Sequence, residues 1–502
     1  MVKIINNIIF ILFFGNLFSQ SQFSGNANFS YANRILDGSI LRLPYRMLEL
    51  KYINESDDIS LNSEFAFEWN RKLDTDFLND NNPQDFIIDL RELYLTWFVP
   101  MGEFNIGKQI HNWGFVDENS PLDNINALDY YYLFDVGASR KLGSLSFASN
   151  LYWNNFTFKF VYSPFHNASR MPIINGQIDP EFPRILPMIP KVEETIEIKN
   201  PHEYGFNIIY ALDNIDLGIS LFSGYDRIFN FSGVNVFGNG PDISFPFIDI
   251  YYGFRKTNVI GLSTLFFSND LTIRSDLGLF STKDINKIGE IASFNSELND
   301  SLHITYRGNE TSDYIELTLQ FEYGISNSLN FLGQLFYYNN LKYSTGVFPE
   351  IPDIPNIPDN INPELLFKPG MGSPLAVLTE KCILFQLNKS ILEDRLKLDL
   401  GILLDFTNKS NGYYDNGEEF VDSNSNNIWD EEESFEDVVQ NKFRIYGKLY
   451  TLGLEYNLSD NVNLKINLSK ISGSEYYAPS SDYQFNLMED FSNFKIDIKY
   501  SF

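Results

Sequence analysis

The chain is constrained above all by how its connections alternate between short apolar-polar repeating segments. Such segments meet pairwise at compact turns: Asn54–Asp58, Val99-Pro100-Met101-Gly102, Asn154-Asn155, Asp213-Asn214, Ser268-Asn269-Asp270, Ile325–Ser328, Leu392-Glu393-Asp394 and Ser459-Asp460-Asn461. Asn154-Asn155 is the clearest of them, because asparagine tolerates the left-handed backbone of a two-residue hairpin. Between successive pairs lie long stretches, near 112–143, 166–200, 225–252, 283–311, 341–377 and 407–440. In a compact soluble domain such loops would count against the strands beside them. Alternating with tight turns, they match a membrane barrel, which puts short turns on one side and long loops on the other. The expected fold is all-β: one transmembrane barrel of the outer-membrane type over 21–502, with about eighteen antiparallel strands, between sixteen and twenty.

Individual segments support the same fold. In the last nine residues Phe494, Ile496, Ile498, Tyr500 and Phe502 share one face, and Lys495, Asp497, Lys499 and Ser501 share the other. Period two puts one set toward lipid and the other toward a polar interior. The aromatic ending resembles the signal read by the barrel-assembly machinery, an expected partner together with outer-membrane lipid. Mean hydropathy is only -0.19, which such alternation produces by cancellation. After the amino-terminus there is no run of about twenty apolar residues, which excludes helical spans. The 46 Phe and 29 Tyr suit interfacial girdles.

The 37 basic against 66 acidic residues leave a formal charge of -29. That balance excludes nucleic acid as a partner and favours divalent cations. Met1–Gln20 carries Lys3, an apolar core at Ile8–Phe14, then Asn16, Ser19 and Gln20. It reads as a cleaved signal peptide, its core being too short to span. Cys382 has no possible intrachain partner and reads as a packing residue.

Parity assigns the interior face. Expected pore-lining residues are Glu64, Glu68, Lys159, Arg274, Glu316, Glu322, Asp399, Lys465, Lys495, Asp497 and Lys499. Asn105, Gly107, Gln109 and His111 share one face of a strand beginning at Glu103, where Gly107 leaves room for Tyr94 across the hairpin. Arg91, Glu92 and Tyr94, the turn at Gly102, then Gly107, Lys108, Gln109, Trp113 and Gly114 resemble a porin-like outer-membrane family known as domain of unknown function 1302. The resemblance covers about residues 85–172, including Asp123 and Tyr162–Phe165. Lys108 stands where that family carries arginine, which removes a bidentate contact.

One loop carries a metal-ligand pattern. Asp422, Asn424, Asn426, Asp430 and Glu433 fall at positions 1, 3, 5, 9 and 12 of an EF-hand-like calcium loop, with the carbonyl of Ile428 at position 7. Asn427 replaces the usual glycine, and no amphipathic helices flank the motif. The expected ligand is Ca2+, stiffening an exposed loop. Pro349–Pro358 repeats proline every third residue, which favours a polyproline II rod. Of His111, His166, His202 and His303, none stands in a catalytic motif, and the chain reads as a non-enzyme. The preferred function is passive diffusion of small solutes through a pore narrowed by inward loops. A closed barrel for surface binding or polysaccharide export, and a transporter of hydrophobic compounds, remain as alternatives.

Overall fold

The computed structural model describes residues 20–69, 86–135, 139–174, 177–178, 198–237, 247–285, 302–346, 364, 367–409, 412–415, 418–423, 426, 428–430, 433–435, 437, 439, 443–478 and 483–502. The wall begins with β1 (Gln20–Arg34), β2 (Tyr45–Glu55), β3 (Ile59–Trp69), β4 (Phe86–Val99), β5 (Gly102–Gln109) and β6 (Ser144–Trp153). It continues with β7 (Phe156–Ser163), β8 (Glu203–Ala211), β9 (Ile215–Tyr225), β10 (Lys256–Ser268), β11 (Leu271–Lys283) and β12 (Thr311–Ser326). The remaining strands are β13 (Leu329–Ser344), β14 (Lys381–Ile391), β15 (Leu396–Asp405), β16 (Lys448–Ser459), β17 (Val462–Ser472) and β18 (Asn493–Ser501).

Each strand pairs antiparallel with the next, and β18 returns to β1 in a register running from Asn26 opposite Ser501 to Arg34 opposite Asn493. The main sheet counts 19 strands. One is the two-residue strip Ile40–Leu41 beside the end of β1, so 18 close the barrel. Closure leaves no wall edge unpaired, the condition for a sheet to sit in lipid. At the seam Gly25 and Phe502 exchange backbone hydrogen bonds of 2.9 and 3.0 Å. A Cβ on Gly25 would come within 2.6 Å of the Phe502 ring, so the glycine admits the terminal aromatic.

Outward positions are apolar and exposed: Ile106, Leu145, Ile219, Leu262, Leu400, Leu452 and Ile498 are examples. Rings gather at the turn end, where Trp97 meets Phe104, Trp153 meets Phe156, and Tyr500 meets Phe502. The loop end has its own set, Tyr45, Trp69 and Phe86. An apolar belt between aromatic girdles is the outer surface of a transmembrane barrel. No described helix is long and apolar enough to cross a membrane. Asn154 and Asn269 take left-handed backbone at their turns, φ 50° and 51°, as the hairpin signals require.

Three expectations are corrected. β5 ends at Gln109, so His111 belongs to the following loop rather than to the strand; its backbone N–H goes to Asn126 Oδ1. The stretches near 225–252 and 283–311 are not plain loops, since Asn230–Phe237 pairs with both Phe247–Gly253 and Leu302–Arg307. Period two also fails within β4. The register slips between Glu64 and Phe65, so Glu64 faces Glu92, Phe65 faces Leu90, and Arg91 is the extra residue of a bulge. Residues 1–19 and 347–363, holding most of the signal segment and the proline rod, lie outside the described residues.

Candidate functional site

The bulge in β4 lets two adjacent charged residues work on one side of the wall. Arg91, 2% exposed, donates from Nε to Glu64 Oε1 at 3.0 Å and from Nη2 to Ser139 Oγ and the Lys141 carbonyl. Glu92 accepts the Ile110 N–H at 2.7 Å. Together they hold both ends of the segment 110–143, which leaves β5 and returns at β6. Gly107 sits opposite Tyr94 with φ 138°. A Cβ there would lie 2.2 Å from the Leu93 carbonyl oxygen, so backbone and neighbour both demand glycine. Lys108 pairs with Asp89 at 3.7 Å. Gln109 is buried and donates to the Ser146 carbonyl at 3.2 Å.

From Trp113 to Asp123 the segment lies against inward-facing side chains of β8 and β10–β13. Trp113 is buried, its ring 2.4 Å from where a Gly205 Cβ would stand, and its backbone N–H goes to Asp123 Oδ1 at 2.7 Å. Gly114 has no room for a side chain, since a Cβ would be 1.9 Å from Ser120 Oγ and 2.3 Å from Asp276 Oδ2. Asp276 on β11 accepts the N–H groups of Phe115 (3.1 Å) and Val116 (2.8 Å) and the Ser120 hydroxyl (2.7 Å). Asn119 donates to Gln334 Oε1 at 2.7 Å and its carbonyl accepts from Thr318 at 2.9 Å. Asp117 pairs with Arg274 at 2.8 Å, and Arg274 also holds Glu322.

The same segment then reaches the opposite wall. Asp129 caps the short 3-10 turn Tyr130–Tyr132. Burial raises the Asp129 carboxyl against the pull of Arg170. Arg170 grips Glu68 through both nitrogens, at 2.8 and 2.6 Å, and Tyr132 donates to Glu68 at 2.8 Å. Asp135 meets Lys495 of β18 at 2.9 Å, and Lys495 also meets Asp497 at 3.3 Å. His111 stays by the segment's start, 3.0 Å from Ser146 Oγ; burial pushes its imidazole down to about 3, helped by Lys141 and Lys159.

A second stretch, 367–379, covers another part of the interior. Glu316 on β12 is wholly buried and accepts the Ser373 N–H at 2.7 Å. Arg255 joins Asp226 and Glu310, each at 2.6 Å, and donates to the Lys368 carbonyl at 2.7 Å. Arg227 makes a two-pronged pair with Glu203, both contacts 2.9 Å, and donates to the carbonyls of Asn124 and Ile125. Thus Glu68 and Glu316 face inward but meet protein rather than water.

Nearer the turn end of β14–β18 the interior is charged. Lys397, Glu455, Lys465 and Asp497 stand side by side in register on successive strands. Asp399 lies one step further from the turns, opposite Gly453. Lys159 and Lys465 are half-buried and Lys499 is exposed near the chain end. Between 110–143 and the wall β12–β18 lies a cavity of about 330 Å3.

In the calcium-like loop, the bridge between Phe420 and Phe435 and the stacked pair Tyr414–Trp429 close the ends. Asp422 Oδ1 accepts the Asn426 N–H (3.1 Å), Asn426 Oδ1 accepts the Ile428 N–H (2.7 Å), and Asn426 donates to Asp430 at 2.9 Å. Glu433 is buried and accepts the N–H groups of Ser423 and Asp430. Asn424 lies outside the described residues. No group of three or more His, Cys, Asp or Glu among the described residues is placed to hold a metal.

Strand pairing, closure and the apolar belt define the class: a transmembrane β-barrel of 18 strands, of the outer-membrane type. Solved structures similar to the chain include the outer membrane protein OpdK of Pseudomonas aeruginosa, at 10% identity and TM-score 0.46, covering 96% of this chain and 99% of that one. OccAB4 of Acinetobacter baumannii is similar at 10% identity and TM-score 0.47, over 97% and 99%. A loop-deletion mutant of OmpT from Vibrio cholerae is similar at 9% and 0.36, over 96% and 99%. No protein-family model and no curated protein matches the chain.

Proposed function

We propose that this protein is a porin-like channel of the bacterial outer membrane, passing small solutes by passive diffusion, with segment 110–143 as its constriction. One observation carries the reading: the segment is bonded to Asp276 on β11 and to Lys495 on β18, far apart around the ring, so it crosses the lumen between them. Barrels of sixteen to eighteen strands are wide enough for water, and a tethered crossing segment narrows such a space without filling it. The long loops then face outside and the short turns the periplasm, with Phe502 at the periplasmic rim where an assembly machinery reads it. Charges near the turn end give a solute a hydrated exit. The acidic loop 422–433 takes Ca2+ in this reading, its ligands being Asp422, Asn424, Asn426, Ile428, Asp430 and Glu433.

Mature protein purified in folded, heat-modifiable form and added to planar bilayers is expected to give stepwise conductance without any ligand. Folded protein that never conducts would overturn the channel reading in favour of a closed barrel. A hydrophobic-compound transporter is the second reading, and it has one observation in its favour, the apolar inward row described next.

A further inference from the structure

The cavity beside segment 110–143 has an ordered lining. Following the strand register, Leu384, Leu403, Leu449 and Ile471 form one inward row across β14–β17. Two residues nearer the turns, Gln386, Gly401, Thr451 and Ser469 form the next. Both rows line the cavity. Gly401 keeps the polar row low, since a Cβ there would lie 2.3 Å from Thr451 Oγ1. Across from the leucines stand Leu133, Phe134, Leu375 and Phe491 from the loops. A site with one greasy half and one hydrogen-bonding half orients a molecule that has both.

We propose that this cavity binds a small uncharged amphipathic solute, a ring-bearing body lodged on the leucine row with hydroxyl groups on Gln386, Thr451 and Ser469. Those three side chains make no hydrogen bond with other described residues, so an amide and two hydroxyls are available to a ligand. Charge is excluded by what surrounds them. The charged residues on the cavity wall are Asp117, Glu118 and Arg140. Asp117 is held by Arg274 at 2.8 Å, and Glu118 and Arg140 hold each other at 2.6 Å. Asp117 shares Arg274 with Glu322, so an ion brought here would shed water for partners already engaged by counter-ions, a loss that hydroxyls on the polar row avoid. About 330 Å3 is at the small end of ligand cavities and suits a solute of one or two rings. The inference rests on the channel reading for its purpose, while binding itself is measured without conduction.

The test is isothermal titration calorimetry on the folded barrel in a polyoxyethylene detergent, which carries no sugar to compete. Phenyl β-D-glucoside is expected to bind at least tenfold more tightly than methyl β-D-glucoside, which lacks the ring, and than benzoate or benzylammonium, which carry charge. Leu449→Asn, which keeps the branched outline but puts an amide into the apolar row, should weaken phenyl glucoside at least tenfold. Ser469→Trp should fill the cavity and abolish binding while the barrel stays heat-modifiable. Equal affinity for the two glucosides, tighter binding of either ion, no binding of any probe, or binding unchanged in both variants would overturn the proposal. Conductance without binding sinks this inference and leaves the channel; binding without conductance does the reverse.

Discussion

Asp276→Ala should release the lumen segment more than any other single change to the wall. The carboxylate is wholly buried and gathers the N–H groups of Phe115 and Val116 and the Ser120 hydroxyl at 3.1, 2.8 and 2.7 Å. Hydrogen bonds to a charged acceptor contribute about 1.5–3 kcal/mol each, so the gross loss is several kcal/mol. The segment keeps its bonds to Thr318 and Gln334, and the freed N–H groups find water once it lifts. The net drop in local opening free energy is therefore set near the value of one or two such bonds, about 3 kcal/mol. At about 1.4 kcal/mol per decade that is roughly a hundredfold. Hydrogen exchange read by mass spectrometry on peptides covering 113–122 should accelerate by that factor, and single-channel conductance should rise. Asp276→Asn, which keeps one carbonyl acceptor, should fall between. Gly114→Ala should act similarly from the other side, because its Cβ would be 2.3 Å from Asp276 Oδ2. Unchanged exchange over 113–122 in a folded Asp276→Ala barrel would refute the anchoring argument.

Two further expectations concern the loops. Burial holds His111 down at about 3 against an ordinary 6.5, so across that window the unfolded chain binds a proton that the folded chain does not. Stability therefore rises with pH between about 3 and 6.5, by up to about 1.4 kcal/mol per unit; urea unfolding at stepped pH should show a slope that His111→Asn flattens, and an identical slope in the variant would disprove it. For the acidic loop, calcium should protect residues 412–437 of the parent from protease, and Asp422→Ala with Glu433→Ala should remove the protection. A parent loop cut equally fast with and without calcium would end that reading.

Strand parity is legible in the sequence because it is local: each residue's face follows from its neighbour's. Gly107 opposite Tyr94 is visible for that reason. The bulge at Arg91 is marked only by two adjacent charges, Arg91-Glu92, which break the alternation but do not say which of them is the extra residue until the register with β3 is known. Nor does parity say what covers an inward residue. Glu316 meets Ser373 and Asp276 meets Val116, pairs separated by 57 and 160 residues. A signal for the second was present in Trp113-Gly114 with Ser120 and Asp123, a small and polar-rich stretch leaving a strand. It fails to name its partner because any inward carboxylate would serve.

The same contacts sharpen what the chain's acidity does. Between 413 and 437 the sequence holds ten Asp and Glu and no Lys or Arg; on the channel reading this acidic stretch stands at the outer mouth. Inside, Arg91, Arg170, Arg227, Arg255 and Arg274 each meet a carboxylate. An anion is thus repelled where field lines concentrate at the mouth, and further in it meets arginines whose charge is already shared. A cation is drawn to the mouth, yet beside the leucine row it would lose its water for carboxylates that arginines already hold. A neutral solute is indifferent to both barriers. If the barrel conducts as proposed, its passage would be governed by fit between the segment 110–143 and the wall β12–β18, where hydroxyls can exchange water for Gln386, Thr451 and Ser469 at little net cost. On the channel reading proposed above, selection by shape and hydrogen bonding rather than by charge is the expected consequence of where the ion pairs lie.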